Sequence, residues 1–485
     1  LWYSAASKDR ILAFSLFDFF EDFALTVRPE QPDTQPAPPA PRAKGAPAAH
    51  CAPHADLHGI THLTETARQL GPLLIAILVV SGFAEMAYGI VNFSAMPVYI
   101  KAIGLGEQWI GLVATAYLLA EGLLKSPFGM LGDRVGRKKL LIIGPFVSCF
   151  TALLTPFIHN PFLLLLLRVL DGMGLAALWP SAFSLIGDHV PPNKRATAMS
   201  FFNVAYMIGI AFGPAIGGAA NDAAQHLIGL PPVVAKQASF YLSALLFAMT
   251  VLVTWKMIPD LPPAHHERDA HGEETGFRLS DIRAMLERMP ILLGLAFLTF
   301  LGVGLVMAYA KVFVMETFHL SEGAYGALLI GPALVIALSS IPLGTLTDRL
   351  GNPMAMKVGY GLATVGFWLL LAFPTKVTLV LLGSVVGFGF VIGFPALMAH
   401  VSATCNPKQR GAALGAIGTA QGLGAILGVA SSGFLYRYPA FSIGVFGVPE
   451  HGLPFLGCAI MIFCAFLLAL FGFRSAPQHT PRSSP

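Results

Sequence analysis

The chain has 485 residues, of which 55% are hydrophobic and 12% charged, with a formal net charge of +4 and a mean hydropathy of +0.69. A soluble domain carries roughly a quarter charged residues, so this composition excludes a water-soluble globular protein and points to a lipid bilayer as the partner. A net charge this small over this length also argues against nucleic acid.

The chain opens with a tail, residues 1–70, expected to be disordered and cytoplasmic. Its stretch 28–56 is dense in Pro and Ala and cannot bury a core. The apolar run just before it carries Asp18, Glu21 and Asp22 in its middle, too costly for a membrane span. His50, His54, His58 and His62 would share one face of a helix beside Cys51. Pro53 and Gly59 interrupt that helix, so no metal site is expected.

Crossing a ~30 Å hydrocarbon core takes ~20 helical residues. Runs of that kind fall near 72–100, 107–131, 138–158, 161–188, 195–221, 237–258, 290–316, 322–346, 354–373, 376–402, 409–436 and 453–473. Lipid offers the backbone no hydrogen-bond partners, so twelve transmembrane helices are expected. A polar linker, 259–289, divides them into an N-terminal bundle, 71–258, and a C-terminal bundle, 290–474, followed by a short tail, 475–485. His265, His266 and His271 in the linker read as solvated, and Ser280 as the cap of a short amphipathic helix bearing Ile282, Met285, Leu286 and Met289.

Orientation follows from Lys and Arg. With both termini inside, the inner loops receive Arg134, Arg137, Lys138, Lys139, Lys194, Arg195, Arg268, Arg278, Arg283, Arg349, Lys357, Lys408, Arg410 and Arg474, while the outer loops hold little beyond Lys101, Lys236, Lys376 and Arg437. Trp109 and Tyr99 then fall at the outer interface and Trp255 at the inner one. The five cysteines show no disulfide or zinc spacing.

Two loops repeat. GMLGDRVGRKK begins at Gly129 and GTLTDRLGN at Gly344, placing Asp133-Arg134 and Asp348-Arg349 both 215 residues apart. The same offset carries Gly172 to Gly387, Gly174 to Gly389, Pro180 to Pro395, Gly111 to Gly326, Glu107 to Glu322 and Arg195 to Arg410. A constant offset over four spans marks a duplicated six-helix unit, and such bundles place a substrate path between their halves.

Gly129, Leu131, Asp133, Arg134, Gly136, Arg137 and Lys138 resemble the signature of the major facilitator superfamily between helices two and three, and Gly344, Leu346, Asp348, Arg349 and Gly351 its degenerate copy. Arg168, Gly172, Gly174 and Ala177 resemble its helix-four signature. Gly209, Gly213, Pro214, Gly217 and Gly218 resemble the helix-five signature of antiporters, with Ser200 where the longer form has glycine, and MPVYIKAIG from Met96 is similar to the end of helix one in drug:proton exporters. The resemblance spans residues 71–474 and implies an all-α membrane fold of two pseudo-symmetric six-helix bundles. It also implies that Asp133 caps the start of helix eleven, near Gln409, when the cytoplasmic side is closed. The helix-five glycines have a plainer reading as well, two GxxxG steps for close packing.

Each ionisable group within a span needs a partner or a task. Glu121 with Lys125, and Arg168 with Asp171, stand at spacings that allow mutual neutralisation, while Lys311 and Glu316 near the outer end of helix seven are expected to snorkel. Glu85, in the middle of helix one, has no basic residue within a turn. Ser81, Tyr88 and Asn92 share its face, a narrow polar stripe expected to line a cavity, with Arg168 as a cross-helix partner once released by Asp171. Glu85 is therefore the candidate for proton coupling or cation recognition, beside the alternative of a structural hydrogen bond.

The implied function is a secondary transporter that exports a small amphipathic compound in exchange for protons, with proton-coupled uptake of a metabolite as the alternative. No phosphate-binding GxxxxGK[ST] loop and no nucleophile or metal cluster in the spans argues for an enzyme or for ATP drive. A monomer without cofactor in a bacterial inner membrane is expected.

Overall fold

Among the described residues, twelve long helices follow one another in the expected order. The structure, a computed structural model, describes residues 71–190, 195–260, 289–404, 410–443 and 446–473, all of them within the unit Ile60–Pro485. The histidines of the N-terminal tail, the linker histidines, Ser280 and its amphipathic helix, Lys194, Lys408 and Gln409 lie outside the described residues, as do the side chains of Asp133 and Asp348.

The first bundle contains α1 (Pro72–Ile90), α2 (Gln108–Val135), α3 (Arg137–Leu154), α4 (Pro161–His189), α5 (Arg195–His226) and α6 (Ala238–Met257). The second contains α7 (Pro290–Met307), α8 (Glu322–Leu350), α9 (Asn352–Ala372), α10 (Lys376–Thr404), α11 (Arg410–Leu435) and α12 (Leu453–Gly472), with a small hairpin, β1 (Phe441–Ile443) and β2 (Phe446–Val448), between the last two. Ten helices among the described residues are long and apolar enough to cross a membrane, or eleven if the bent pair Ala310–Phe318 and Glu322–Ile336 is one span. The less apolar α2 carries Glu121 and Lys125 in mid-helix.

Local signals explain the helix ends. Proline opens α1, α4, α7 and α12, where a missing N–H costs nothing. The Asn160 side chain accepts from the N–H groups of Phe162 and Leu163, and the Ser321 hydroxyl from that of Ala324. Gly136, at φ +102°, separates α2 from α3, and Gly351, at φ +74°, separates α8 from α9. Both turns use left-handed backbone that favours glycine, and the two are 215 residues apart.

The helix contacts repeat in the same register. In the first bundle α1 packs on α5 and α6, α3 on α4 and α6, and α2 on α4; in the second α7 packs on α11 and α12, α9 on α10 and α12, and α8 on α10. Gly209 faces the Met86 N–H as Gly424 faces the Leu301 N–H, and Gly144 meets Gly174 as Gly359 meets Gly389. The chain is an all-α membrane protein of two pseudo-symmetric six-helix bundles. Between the bundles, α5 meets α8 and α2 meets α11. Gly218 against Glu322, Gly326 against Ala215 and Gly433 against Gln108 all lie at the end away from the Asp133 and Asp348 loops. That end is here called the far end, and its opposite the signature end. In the signature-end half of α11, Gly418 and Gly422 have nothing within 4 Å of an added Cβ. The bundles are thus closed together at the far end.

Three expectations are corrected. Tyr99 is not an interfacial belt residue, being fully buried with its hydroxyl donating to the Pro156 carbonyl at 2.9 Å. Helix seven is not one rod either. α7 stops at Met307 and a second segment, Ala310–Phe318, follows. Lys311 on that segment does not snorkel beside Glu316 but is 2% exposed and paired with Glu322 at 2.6 Å. Glu316 pairs instead with Lys101.

Candidate functional site

The polar face of α1 is packed into the first bundle. Ser81 donates to the Ile77 carbonyl at 2.7 Å within its own helix. Tyr88 shares a hydrogen bond of 2.7 Å with Ser148 of α3 and stands edge-on to Phe247 of α6, ring centroids 4.7 Å apart. Asn92 accepts from Arg168 Nη1 at 3.1 Å. It lies in a π-helical turn, Val91–Ala95, that joins α1 to a final segment, Met96–Ala102. The stripe therefore does not line an open wall, because α3, α4, α5 and α6 close over it.

Glu85 is the exception to this pairing. It is 4% exposed, and a Cβ on Gly209 of α5 would come within 2.6 Å of its own Cβ. The Trp179 side chain of α4 is within hydrogen-bonding reach of its carboxyl, yet Oε1 has no partner among the described residues. Leaving a buried polar oxygen without a partner costs about 1–3 kcal/mol, so such a group marks either strain or a place for something exchangeable. Glu121 and Lys125 of α2 do pair with each other, at 2.5 Å.

Arg168 and Asp171 form a buried ion pair on α4, 2% and 1% exposed. Thr151 reaches Asp171 at 3.4 Å, and the Arg168 guanidinium sits 5.4 Å from the Tyr117 ring centroid. Arg168 is thus held by Asp171 and Asn92 together, and has not been released by Asp171 toward Glu85. The structure gathers Asn92, Arg168 and Asp171 into one cluster and puts Glu85 apart, against Gly209.

The aromatic surroundings of Glu85 had no place in the sequence reading. Trp179 stacks edge-on against Phe202 and Tyr206 of α5, with centroids 4.9 and 5.1 Å away. In the second bundle, Phe300 and Phe394 stand 215 residues after Glu85 and Trp179. Their rings are 5.8 Å apart, and Phe394 stacks on Phe390 at 5.3 Å. One pseudo-symmetric position is acidic in the first bundle and aromatic in the second, a difference the 215 offset alone would have revealed.

The helix-five glycines serve close approach. An added Cβ would meet the Met86 carbonyl at 2.9 Å from Gly213 and Ile90 at 2.7 Å from Gly217, while one on Gly218 would overlap the Glu322 carbonyl of the other bundle. The Pro214 carbonyl accepts from the Ser94 hydroxyl at 3.3 Å. In the signature loop, Gly129 lies against Pro180, Arg137 is buried, Arg134 and Arg349 are exposed, and Lys138 pairs with Asp260 at 3.3 Å. No cluster of metal-ligating side chains occurs among the described residues.

A family model, the Major Facilitator Superfamily, matches residues 74–308 and 292–485. This chain belongs to that superfamily. As a superfamily member it is a membrane transporter of small molecules and not an enzyme. Among its relatives, multidrug resistance protein 2 of Bacillus subtilis is 23% identical over 368 residues, 74% of this chain and 88% of that protein. An uncharacterized MFS-type transporter of Methanocaldococcus jannaschii is 23% identical over 342 residues, covering 70% and 85%. Quinolone resistance protein NorA of Staphylococcus aureus is 32% identical over 124 residues, covering 25% and 32%. Two solved structures share the fold with a TM-score of 0.67 each. The nucleoside transporter NupG, in a mutant form, is 17% identical, covering 83% of this chain and 100% of that one. A D-xylose-proton symporter is 14% identical, covering 83% and 98%.

Proposed function

We propose that this superfamily transporter exports a small amphipathic organic compound in exchange for protons, with Glu85 as the proton-carrying group. The observation that carries this reading is the buried, unpartnered Oε1 of Glu85 at the α1–α5 contact. Of the carboxyls within the first bundle's spans, Glu121 has Lys125 and Asp171 has Arg168. A carboxyl inside a membrane that touches no cation is a place for an exchangeable proton or for a cationic group of substrate. The rings of Trp179, Tyr206, Phe300, Phe390 and Phe394 around the paired pseudo-symmetric positions would suit an apolar, planar body. Export is supported by the relatives named for drug resistance and by the helix-five glycines. The signature end is the cytoplasmic one in this reading, on the distribution of Lys and Arg, so the far-end closure describes a state facing inward.

Inside-out vesicles carrying the protein, with an acid lumen and a chemically broad panel of compounds, test direction and coupling together. Antiport predicts accumulation of a substrate in the lumen that a protonophore abolishes. Loss of preloaded substrate from the acid lumen would instead establish the uptake alternative, since symport carries proton and substrate the same way.

A further inference from the structure

At the far end, the last turns of α5 grip the first turn of α8 through two consecutive side chains. Asp222 Oδ2 accepts from the Gly323 N–H at 2.8 Å and from the Ser321 hydroxyl at 2.7 Å. A carboxylate from the first bundle thus satisfies an orphan N–H at the start of a second-bundle helix, where the helix dipole favours negative charge. Its neighbour Asn221, 2% exposed, donates to Glu322 Oε2 at 3.0 Å and accepts from the Ser239 N–H at 2.9 Å. Glu322 Oε2 also receives Lys311 at 2.6 Å, and Lys311 donates in addition to the Ser94 hydroxyl at 2.7 Å and carbonyl at 3.0 Å. Five helical elements from both bundles, α5, α6, α8, the π-helical turn Val91–Ala95 and the segment Ala310–Phe318, therefore meet in one polar network.

The backbone is shaped to let them meet. A Cβ on Gly323 would lie 2.7 Å from Asp222 Oδ2, and Cβ atoms on Gly218 and Gly326 would overlap the Glu322 carbonyl and the Ala215 Cα. The pseudo-symmetric seam between α2 and α11 packs alike but is wired differently. The residues 215 positions from Asn221, Asp222 and Glu322 are Tyr436, Arg437 and Glu107. There α2 has no side-chain cap, and the Tyr309 hydroxyl bridges instead, donating to the Glu107 carbonyl at 2.6 Å and accepting from the Gly111 N–H at 3.0 Å. Among the described residues at the far end, the start of α8 meets a carboxylate across its seam and the start of α2 does not.

We propose that Asn221 and Asp222 form the latch that keeps the far end shut, so that breaking the Asp222 cap on α8 shifts the conformational equilibrium toward opening at that end. The two bundles part when the cap breaks. Lys311 and Glu322 both belong to the second bundle and stay paired to each other, while the bonds of Asp222, Asn221 and Ser94 across the seam are lost.

Distances between spin labels test this in reconstituted, cysteine-replaced protein without substrate or pH gradient, which separates it from the role proposed for Glu85. One label pair is placed at Leu227 and Thr317 across the far end and another at Lys139 and Met354 across the signature end, all exposed positions. Asp222→Ala should raise the ratio of far-end-open to far-end-closed molecules by roughly tenfold, as loss of a charged hydrogen bond implies, with the signature-end distances shortening in step. Asp222→Asn, which keeps the shape, should shift less. Gly323→Ala attacks the same contact from the other bundle and should shift both label pairs as Asp222→Ala does, and it carries the test if Asp222→Ala fails to fold. Wild-type distributions at both ends in folded Asp222→Ala, or in Gly323→Ala, would overturn the proposal and reduce Asp222 to a helix cap that serves folding only.

Discussion

Lys311 is a cation buried at the far end of the bundles, and its partners explain how it is tolerated. Glu322 lies 2.6 Å away, and Ser94 supplies a hydroxyl and a carbonyl. Removing one partner of such a pair strands the other. Lys311→Met should therefore destabilise the protein by ~3–5 kcal/mol, whereas Lys311→Met combined with Glu322→Gln should recover most of that loss because no buried charge remains and Asn221 still has an acceptor. Thermal unfolding in detergent checks both, and equal losses in the single and double variants would mean that the pair's charge is not what matters. None of this was legible from residue type alone, since a lysine near a helix end is as often a snorkelling side chain. The partner lies eleven residues on, beyond a break that periodicity does not announce.

Helices are held here by glycine, and position decides whether a glycine is needed. On α5, a Cβ at Gly209 would stand 2.8 Å from the Met86 nitrogen, a backbone atom that cannot move aside. Gly209→Val should push α5 off α1 and cost ~1–3 kcal/mol or more. On α11, Gly422 faces open space, and Gly422→Ala should be neutral or stabilise by up to ~1 kcal/mol through helix propensity. Unfolding temperatures of the two purified variants measure the contrast, and similar values would contradict the packing described for α1 and α5. At this scale the sequence was informative. Hydropathy located all twelve helices, and Gly136 and Gly351 marked the tight turns because only left-handed backbone fits there. The interruption of helix seven at Ala308 and Tyr309 was invisible, since no Pro or Gly marks it. In the structure Tyr309, within the break, and Lys311, just after it, reach across to the start of α2 and to the π-helical turn that follows α1. That cause is tertiary. Helical spacing likewise puts Ser81, Glu85, Tyr88 and Asn92 on one face but does not show what covers that face.

In the whole molecule, two copies of one helical plan have diverged where chemistry is needed and stayed alike where packing is. Gly209 and Gly424, Gly144 and Gly359, and Gly136 and Gly351 keep equivalent places, whereas Glu85 has Phe300 as its counterpart and Asp222 has Arg437. Proton exchange at Glu85 and rocking of the bundles about the α5–α8 and α2–α11 seams would together make an antiporter. The most direct measurement compares wild type and Glu85→Gln in the same proteoliposomes, using gradient-driven accumulation and substrate-for-substrate exchange at equal pH. Gln keeps the shape and most of the hydrogen bonding while removing the titrating group. Accumulation should be lost in Glu85→Gln and exchange should persist, because exchange needs no net proton movement. Gradient-driven accumulation at the wild-type level in Glu85→Gln would contradict the coupling role, and loss of both modes together would assign Glu85 to packing instead.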